Sequence, residues 1–149
     1  MNSDLQTIYT NFFADLLGFA PELELTDSKD QIDLNLSLDQ RDSGMFIGYR
    51  GEVLTAIQLI LSLINQHHTG SWKPVRVNVN DYRQRRQAAL EAMADAALER
   101  ALASGQPSTL TNLTSYERRI IHTHLASRDD VTTHSQGQPP HRALIISPK

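Results

Sequence analysis

The sequence predicts a mixed α/β (α+β) protein in which two small units are joined by a long helix. Residues 31–38 and 74–80 alternate polar and apolar side chains, which is the pattern of half-buried strands. In several other stretches, apolar residues recur every three or four positions, as they do on amphipathic helices. The Ala-rich stretch at 81–104 predicts the connecting helix. We therefore expect the first unit at residues 1–80 and the second at 81–149, since 149 residues can form two very small domains.

The first unit is predicted to run helix, strand, strand, helices, strand. Residues 3–17 indicate an amphipathic helix, and a short strand around 23–25 precedes the first alternating strand. The apolar positions of that helix are Leu5, Ile8, Tyr9, Phe12, Phe13, Leu16 and Leu17. After a break at Ser43 and Gly44, residues 50–66 predict a buried helix. Its core positions are Val53, Leu54, Ile57, Ile60, Leu61 and Ile64.

The second unit begins with the connecting helix and contains one more helix and two strands. Thr114 and Glu117 have the spacing of a capping box, in which each side chain bonds the free backbone N–H of the other residue at a helix start. The helix they begin is predicted to end near Ala126. Short strands near 131–134 and 143–146 follow, separated by a turn rich in Gly and Pro.

The composition excludes several classes of protein. A hydrophobic share of 40% and a charged share of 21% are typical of a soluble globular protein. Because the chain has no cysteine, it has no disulfide, thiol nucleophile, cysteine zinc site or iron–sulfur cluster. No apolar stretch approaches the roughly 20 residues that cross a bilayer, and no basic segment leads into an apolar run at the N-terminus. We therefore expect a cytoplasmic protein without membrane insertion.

The charge is unevenly distributed along the chain. The formal net charge is −3, but residues 1–40 carry −7, residues 41–86 carry +4 and residues 87–149 are neutral. A basic middle in an acidic protein is consistent with a local contact to nucleic acid, and a solvated charged face is the alternative interpretation. Charge alone does not separate them.

A G-x-x-G motif lies just before the apolar helix, in the segment Ile47-Gly48-Tyr49-Arg50-Gly51-Glu52. Two glycines allow a tight turn and a close approach of backbone, and N–H groups at a helix start attract phosphate. Arg50 adds a full positive charge, and Arg41 is a further candidate nearby. The motif alone is typical of an ordinary turn. Between two helices, with an alternating strand on either side, it resembles the loop of a type II KH domain, which holds about four nucleotides.

A second motif, Arg-x-x-x-His, joins Arg118 and His122 in the predicted helix of the second unit. Residues four positions apart share a helix face, so the two side chains can grip a phosphate or stack beside a base. Arg119 and Arg142 add positive charge. An isolated Arg-x-x-x-His is usually an exposed polar face. Its setting, a capped helix followed by two strands, resembles the R-3-H domain, a small module that binds single-stranded nucleic acid.

The tandem of both motifs resembles the bacterial Jag (SpoIIIJ-associated) family, from about Arg41 to Lys149. The resemblance implies RNA binding, with roles in post-transcriptional control and in cell elongation, division or sporulation, and a small KH-domain protein as a partner. Many relatives carry a separate N-terminal Jag domain, whereas this chain is expected to begin directly at the KH helix. Relatives are often basic at the loop position that Tyr49 occupies here. An aromatic ring there could stack on a base instead.

Three arginines at the start of the connecting helix, Arg83, Arg85 and Arg86, oppose the helix dipole. Each of these unfavourable charges destabilises the helix by about 0.3–1 kcal/mol at an exposed site, which suggests that the arginines have a functional role. We interpret them as contacts to backbone phosphates between the two modules. The alternative is that they are solvated and paired with acids such as Asp81.

Two other classes of function are compatible with parts of the sequence. The histidines suggest a metal site, but on a helix His122 and His124 face opposite ways. An enzyme is also disfavoured, because the chain has neither a nucleophile elbow nor a Walker loop. A protein-docking scaffold is the stronger rival, using the apolar face of residues 5–17 or the strand at 32–38 as a sheet edge. Core packing is the favoured role of that helix. RNA and single-stranded DNA are not separated, because no residue is dedicated to the 2′-hydroxyl.

The sequence therefore predicts a non-catalytic, cofactor-free protein that selects single-stranded RNA. Bases would lie over an apolar groove lined by Ile47 and Val53. The predicted nucleic-acid contacts are Ile47, Gly48, Tyr49, Arg50, Gly51, Arg83, Arg85, Arg86, Arg118, Arg119, His122 and Arg142.

Overall fold

The computed structural model describes residues 2–149. The chain divides into two compact units between Arg83 and Gln84. This division lies just inside the long helix, a few residues beyond the boundary expected after residue 80. Each unit has its own hydrophobic core.

The first unit has the element order that the KH resemblance implies. Its elements are α1 (Asn2–Leu17), β1 (Glu22–Asp27), β2 (Ile32–Ser37), α2 (Gln40–Ile47), α3 (Glu52–Thr69) and β3 (Val75–Val79). A 3-10 turn, Tyr49–Gly51, connects α2 to α3. The sheet order is β1-β2-β3, with β1 antiparallel and β3 parallel to β2. Because β2 is the central strand, the alternative in which residues 32–38 dock a partner as a sheet edge is wrong.

The alternating pattern of the two predicted strands builds the core of this unit. Ile32, Leu34 and Leu36 of β2 lie on the same face as Val75, Val77 and Val79 of β3, and all six are buried. Against them pack Leu5, Tyr9 and Phe13 from α1 and Leu54, Ile57 and Leu61 from α3. Full burial of such a side chain is worth about 1.5–3 kcal/mol. The predicted role of the first helix in covering the sheet is confirmed.

Two details of the helices differ from the prediction. The expected break at Ser43 and Gly44 is wrong, since α2 continues through both residues. Asp39 caps this helix by accepting a hydrogen bond from the Asp42 N–H at 2.8 Å, and Phe46 anchors it in the core. A cap and a buried aromatic residue outweigh the roughly 1 kcal/mol that a mid-helix glycine costs. Three predicted core positions are instead exposed: Leu16, Val53 and Ile60.

The outer edge of β3 is bonded by side chains. The Ser62 hydroxyl accepts a hydrogen bond from the Val75 N–H at 2.8 Å, and the Gln58 side-chain carbonyl accepts one from the Val77 N–H at 3.0 Å. Arg83 donates to the Val77 carbonyl at 3.3 Å and also to the Gln58 carbonyl. Three of the backbone groups that face away from the sheet, the Val75 and Val77 N–H groups and the Val77 carbonyl, therefore have partners within the first unit.

The second unit has a three-stranded antiparallel sheet. Its elements are α4 (Tyr82–Ser104), whose first two residues belong to the first unit, β4 (Ser108–Leu110), α5 (Ser115–Leu125), β5 (Val131–Gln136) and β6 (Ala143–Pro148). The strand order is β4-β6-β5. Strand β4 was not predicted, because three residues are too short to show alternation. The core joins Leu90 and Leu98 of α4 to Ile121 of α5 and Leu144 of β6.

Among the described residues, no single helix combines the length and apolar character that a bilayer span requires. The helical segments Gln40–Ile47 and Tyr49–Thr69 have the required length and apolar character only when they are counted together, although the chain bends by 46° between them.

A buried tyrosine makes the stability of the first unit sensitive to alkaline pH. Tyr9 is fully buried, and its hydroxyl has no hydrogen-bond partner among the described residues. Burial, with a smaller contribution from the charge of Asp27, raises the pKa of Tyr9 to about 12 from the ordinary value of 10.0. The folded state thus favours the neutral phenol, so its contribution to stability is complete below pH 10 and is lost as the pH rises through 12.

We expect Tyr9→Phe to reduce the fall in unfolding free energy between pH 10 and 12, a term of about 2–3 kcal/mol. At neutral pH the variant should be at least as stable as the parent, because the change removes an unpaired buried hydroxyl. Urea unfolding at several pH values measures both effects, with Tyr116→Phe as an exposed control. Equal pH slopes for Tyr9→Phe and the parent would contradict the expectation.

Candidate nucleic-acid interface

The G-x-x-G loop of the first unit has an unusual backbone. Gly48 has φ 68° and ψ −171°, Gly51 has φ 81°, and Arg50 between them is left-handed with φ 53°. The Gly48 N–H donates to the Gly44 carbonyl at 3.0 Å, which ends α2. The Thr55 hydroxyl donates to the Gly51 carbonyl at 2.9 Å, which fixes the loop to α3. Both ends of the loop are thus held by hydrogen bonds.

Both glycines are required by their surroundings as well as by their φ angles. A Cβ atom at Gly48 would lie 2.4 Å from Cγ2 of Val53, far inside van der Waals contact. A Cβ atom at Gly51 would lie 3.2 Å from the ring of Tyr82. The motif therefore specifies one close-packed loop conformation.

The two central residues of the loop are stacked on each other. The Tyr49 side chain is 67% exposed, and the Arg50 guanidinium lies 4.8 Å from the centre of its ring. This is a cation–π contact, which presents a flat cationic surface to solvent. The Glu52 N–H donates to the Tyr49 carbonyl, and the first turn of α3 follows directly. Ile47 is half-buried against the core, and Val53 is exposed beside the loop.

The three arginines at the start of α4 have different environments. Arg83 bonds Val77 and Gln58 within the first unit, as described above. Arg86 donates to the buried Glu117 carboxylate at 2.8 and 2.5 Å within the second unit. Arg85 is exposed. The acids suggested by the sequence did not include Glu117, because the pair spans 31 positions.

The capping box predicted at the start of α5 is confirmed. The Thr114 hydroxyl accepts from the Glu117 N–H at 3.2 Å, and the Glu117 carboxylate accepts from the Thr114 N–H at 2.9 Å. The same carboxylate also receives Arg86, so one buried acid fixes both the start of α5 and its attachment to α4.

The Arg-x-x-x-His face of α5 borders a cavity of about 510 Å³. Strand β5 and the turn before β6 supply the rest of its wall. The described lining consists of Ser115, Arg118, Arg119, His122, Thr133, His134, Ser135, Pro139, Arg142 and Leu144. This lining holds three guanidinium groups and two imidazoles and contains no carboxylate. Its positive charge and mixed polar and apolar surface suit an anion that carries a flat ring.

Hydrogen bonds inside the second unit orient the two motif side chains. Arg118 donates to the Leu113 carbonyl at 2.7 Å and to the Ser115 hydroxyl at 3.0 Å. Nδ1 of His122 shares a hydrogen bond with the Thr133 hydroxyl, which leaves Nε2 as the ring nitrogen for a ligand. Arg142 donates to the Gly137 carbonyl at 3.4 Å. Each cation keeps donors for a bound phosphate, because a guanidinium has five N–H groups.

The sequence analysis missed the strand side of this cavity. Thr133, His134, Ser135 and Pro139 carry no recognisable motif, and they meet α5 only because β5 and β6 pair across the turn. The polar residues of β5 were the one feature of the sequence that could have indicated that this strand contributes to the site. Ser115 was missed because it precedes the motif by three positions, although it lies on the same helix face.

The histidines of α5 serve separate contacts, as their spacing indicated. His122 meets Thr133, whereas His124 lies 2.9 Å from the Asp95 carboxylate. Within residues 2–149, no three side chains of the His, Cys, Asp or Glu type converge as metal ligands.

Comparison with known proteins agrees with both the motif and the fold. Residues 88–148 match the R-3-H domain family. RNA-binding protein KhpB of Lactiplantibacillus plantarum is 34% identical over 137 residues, which cover 89% of this chain and 42% of that protein. The chain is similar to the KhpB (Jag) proteins along most of its length. KhpB of Clostridium symbiosum is 30% identical over 91% of this chain and 61% of its own length, and KhpB of Bacillus subtilis is 26% identical over 95% and 68%.

These similarities confirm the Jag resemblance and the mixed α/β fold with an R-3-H domain. The relatives are named RNA-binding proteins, which agrees with the expectation of a binding protein rather than an enzyme. The chain spans about half the length of the KhpB relatives it matches first. What those longer proteins do as a whole is therefore not carried over to this chain directly.

Proposed function

We propose that this KhpB-like protein binds single-stranded RNA through two separate sites. The observation that carries the proposal is the cavity beside α5, which is lined by Arg118, Arg119, Arg142 and His122 and also by Leu144. Internal hydrogen bonds hold two of these side chains before any ligand arrives, which lowers the cost of ordering them on binding. The KhpB relatives are named RNA-binding proteins.

The first unit acts in this proposal as a type II KH domain. Support comes from its element order, from the parallel pairing of β2 and β3, and from the close-packed loop at Gly48–Gly51. The loop backbone grips phosphates, while Arg50 supplies charge and the exposed Tyr49 ring offers a stacking surface. The groove beside Ile47 and Val53 receives the bases.

The arginines of α4 contribute unequally. Arg85 is exposed and serves as a phosphate contact, whereas Arg83 and Arg86 already bond groups of the protein. We expect Arg85→Gln to weaken RNA affinity. The same change at Arg83 or Arg86 would act mainly through the local structure that these side chains support.

We further propose a cellular role on the basis of the resemblance to the Jag family. The protein would act in post-transcriptional control linked to cell elongation, division or sporulation, with a small KH-domain protein as a partner. Single-stranded DNA is the alternative ligand, because neither site contains a dedicated reader of the 2′-hydroxyl.

Fluorescence anisotropy of the full chain with a short single-stranded RNA, the matching DNA and an RNA duplex tests the proposal. We expect the single strand to bind more tightly than the duplex, and Arg118→Ala/His122→Ala to weaken binding by at least about tenfold. Arg128→Ala, which removes an exposed arginine paired with Asp130, is the matched control. Absence of RNA binding by the parent protein, or equal binding by the double variant and the parent, would refute the proposal.

The loop residue Tyr49 should set the salt dependence of binding. We expect Tyr49→Lys to bind RNA with a steeper slope of log affinity against log salt, by about 0.7 for one added phosphate contact to a single strand. The exposed aromatic contact that it loses is worth about 1–3 kcal/mol. A salt series of anisotropy titrations measures the slope, with Tyr116→Lys as the exposed control. The same slope for Tyr49→Lys and the parent would contradict the stacking role.

A further inference from the structure

Tyr82, the first residue of α4, lies against the G-x-x-G loop. Its Cε1 atom and its hydroxyl oxygen lie 3.2 and 3.5 Å from the point that a Cβ atom on Gly51 would take. Gly51 is buried, and the Tyr82 ring is half-buried against the core of the first unit. The missing side chain at Gly51 therefore allows the ring to contact the loop backbone.

The chain reaches this contact through a strained turn. Asn80 and Asp81, which join β3 to α4, are both left-handed, with φ angles of 48° and 55°. Such backbone is costly for residues with a side chain and persists only where the surrounding structure holds it. The Asn80 side chain bonds both backbone groups of Leu38, accepting from its N–H at 3.0 Å and donating to its carbonyl at 2.7 Å. The turn thus fixes the point at which α4 begins.

Arg83 holds the first turn of α4 in place. Its Nε donates to the Val77 carbonyl at 3.3 Å, and a second guanidinium nitrogen donates to the Gln58 side chain. Gln58 belongs to α3, the helix for which Gly51 is the N-cap. Tyr82 is thereby anchored to the helix that follows the loop.

We propose that Tyr82 is a positioning residue for RNA binding, whose ring holds the Gly48–Gly51 backbone in the conformation that grips phosphate. The inference rests on the proposed function of this loop. Tyr82 acts on the protein and does not itself contact RNA. Its ring raises the fraction of free protein whose loop is ready to bind, so its loss weakens the apparent affinity by the factor by which that fraction falls.

Anisotropy titrations of the full chain with a short single-stranded RNA test this role. We expect Tyr82→Ala to weaken RNA affinity by about tenfold, and Tyr82→Phe, which keeps the ring, to stay within about twofold of the parent. Tyr82→Leu, which stays apolar but lacks the flat ring, should weaken it by at least about threefold. Leu25→Ala is the matched control, because Leu25 is a half-buried residue of β1 on the same core, and its affinity should stay within about twofold of the parent. Circular dichroism shows whether each variant is folded.

Stopped-flow kinetics with the same RNA separate positioning from direct contact. If Tyr82 sets only the population of the ready loop, Tyr82→Ala lowers the association rate by about tenfold and leaves the dissociation rate within about twofold. The loss of a contact to RNA would instead appear mainly as faster dissociation.

A double-mutant cycle tests the contact with Gly51. Gly51→Ala should weaken RNA binding in the parent, because the added Cβ meets the Tyr82 ring at a backbone φ of 81°. In the Tyr82→Ala background only the backbone strain remains, so the loss caused by Gly51→Ala should be at least about threefold smaller. Gly70→Ala is the control for strain alone, because Gly70 has φ 74° and no described atom lies within 4 Å of its Cβ position. Its effect should be the same in both backgrounds.

Three results would overturn the proposal. These are parent-like affinity of Tyr82→Ala, an equal loss for Tyr82→Phe and Tyr82→Ala, and a loss that lies wholly in the dissociation rate. If Tyr82→Ala does not fold, Tyr82→Leu decides, and its parent-like affinity would have the same meaning. A parent that does not bind RNA, or Gly48→Ala with parent-like affinity, would instead refute the proposed function of the loop and this inference with it.

Discussion

Glu117→Ala is expected to destabilise the second unit by about 3–5 kcal/mol, the usual cost of breaking a buried ion pair. The Glu117 side chain is 5% exposed and accepts hydrogen bonds from Arg86 and from the Thr114 N–H. Its removal leaves the Arg86 guanidinium without that carboxylate and removes half of the capping box, which alone is worth about 0.5–2 kcal/mol. Urea unfolding, followed by a probe in the second unit, measures the loss.

Glu99→Ala is the control for this prediction, because it removes an exposed carboxylate from α4. We expect it to change the unfolding free energy by less than about 0.5 kcal/mol. Arg86→Met combined with Glu117→Gln should cost less than the sum of the two single changes, since neither charge is then left alone. If Glu117→Ala were no more destabilising than Glu99→Ala, the buried pair would not hold α5 to α4.

Gly48→Ala is expected to lose RNA affinity by at least about tenfold and to destabilise the first unit by about 1–3 kcal/mol. The added Cβ would lie 2.4 Å from the Val53 side chain, at a φ of 68° that residues with a side chain rarely adopt. The loop must open to relieve this contact, so the close-packed backbone that we propose to grip phosphate is lost.

Gly44→Ala provides a matched control four residues away. Gly44 lies inside α2, and nothing lies within 4 Å of the position that its Cβ would take. Because Ala is the better helix former, this change should stabilise the first unit by about 0.5–1 kcal/mol and leave RNA affinity unchanged. Anisotropy and thermal unfolding of both variants give the comparison. If Gly48→Ala bound RNA as tightly as the parent, the loop conformation would not be what holds the RNA backbone.

The sequence predicted the elements whose burial is regular. Strands β2 and β3 expose and bury alternate residues, and the capping box at Thr114 is a local hydrogen-bond pattern, so both can be recognised without a structure. The helix break at Gly44 was wrong because a glycine is a weak signal beside a strong cap at Asp39. Ile60 was assigned to the core because an apolar residue at helical spacing does not reveal which face has a partner.

The candidate site was only partly predictable for a related reason. Gly48, Arg118 and His122 belong to motifs that are contiguous or four positions apart. Thr133 reaches His122 only through the pairing of β5 with β6, and Arg86 reaches Glu117 across 31 positions. Such long-range contacts depend on the tertiary fold, which no local pattern encodes.

The hydrogen bonds along the outer edge of β3 have a consequence for solubility. An edge strand with free N–H groups is a template on which another chain can add a strand, and this is a common route to aggregation. Gln58 and Ser62 fill that template with side chains, while the edge at β1 carries the exposed acids Glu22 and Glu24. Strand addition to the first sheet is thus hindered by side-chain hydrogen bonds on one side and by negative charge on the other.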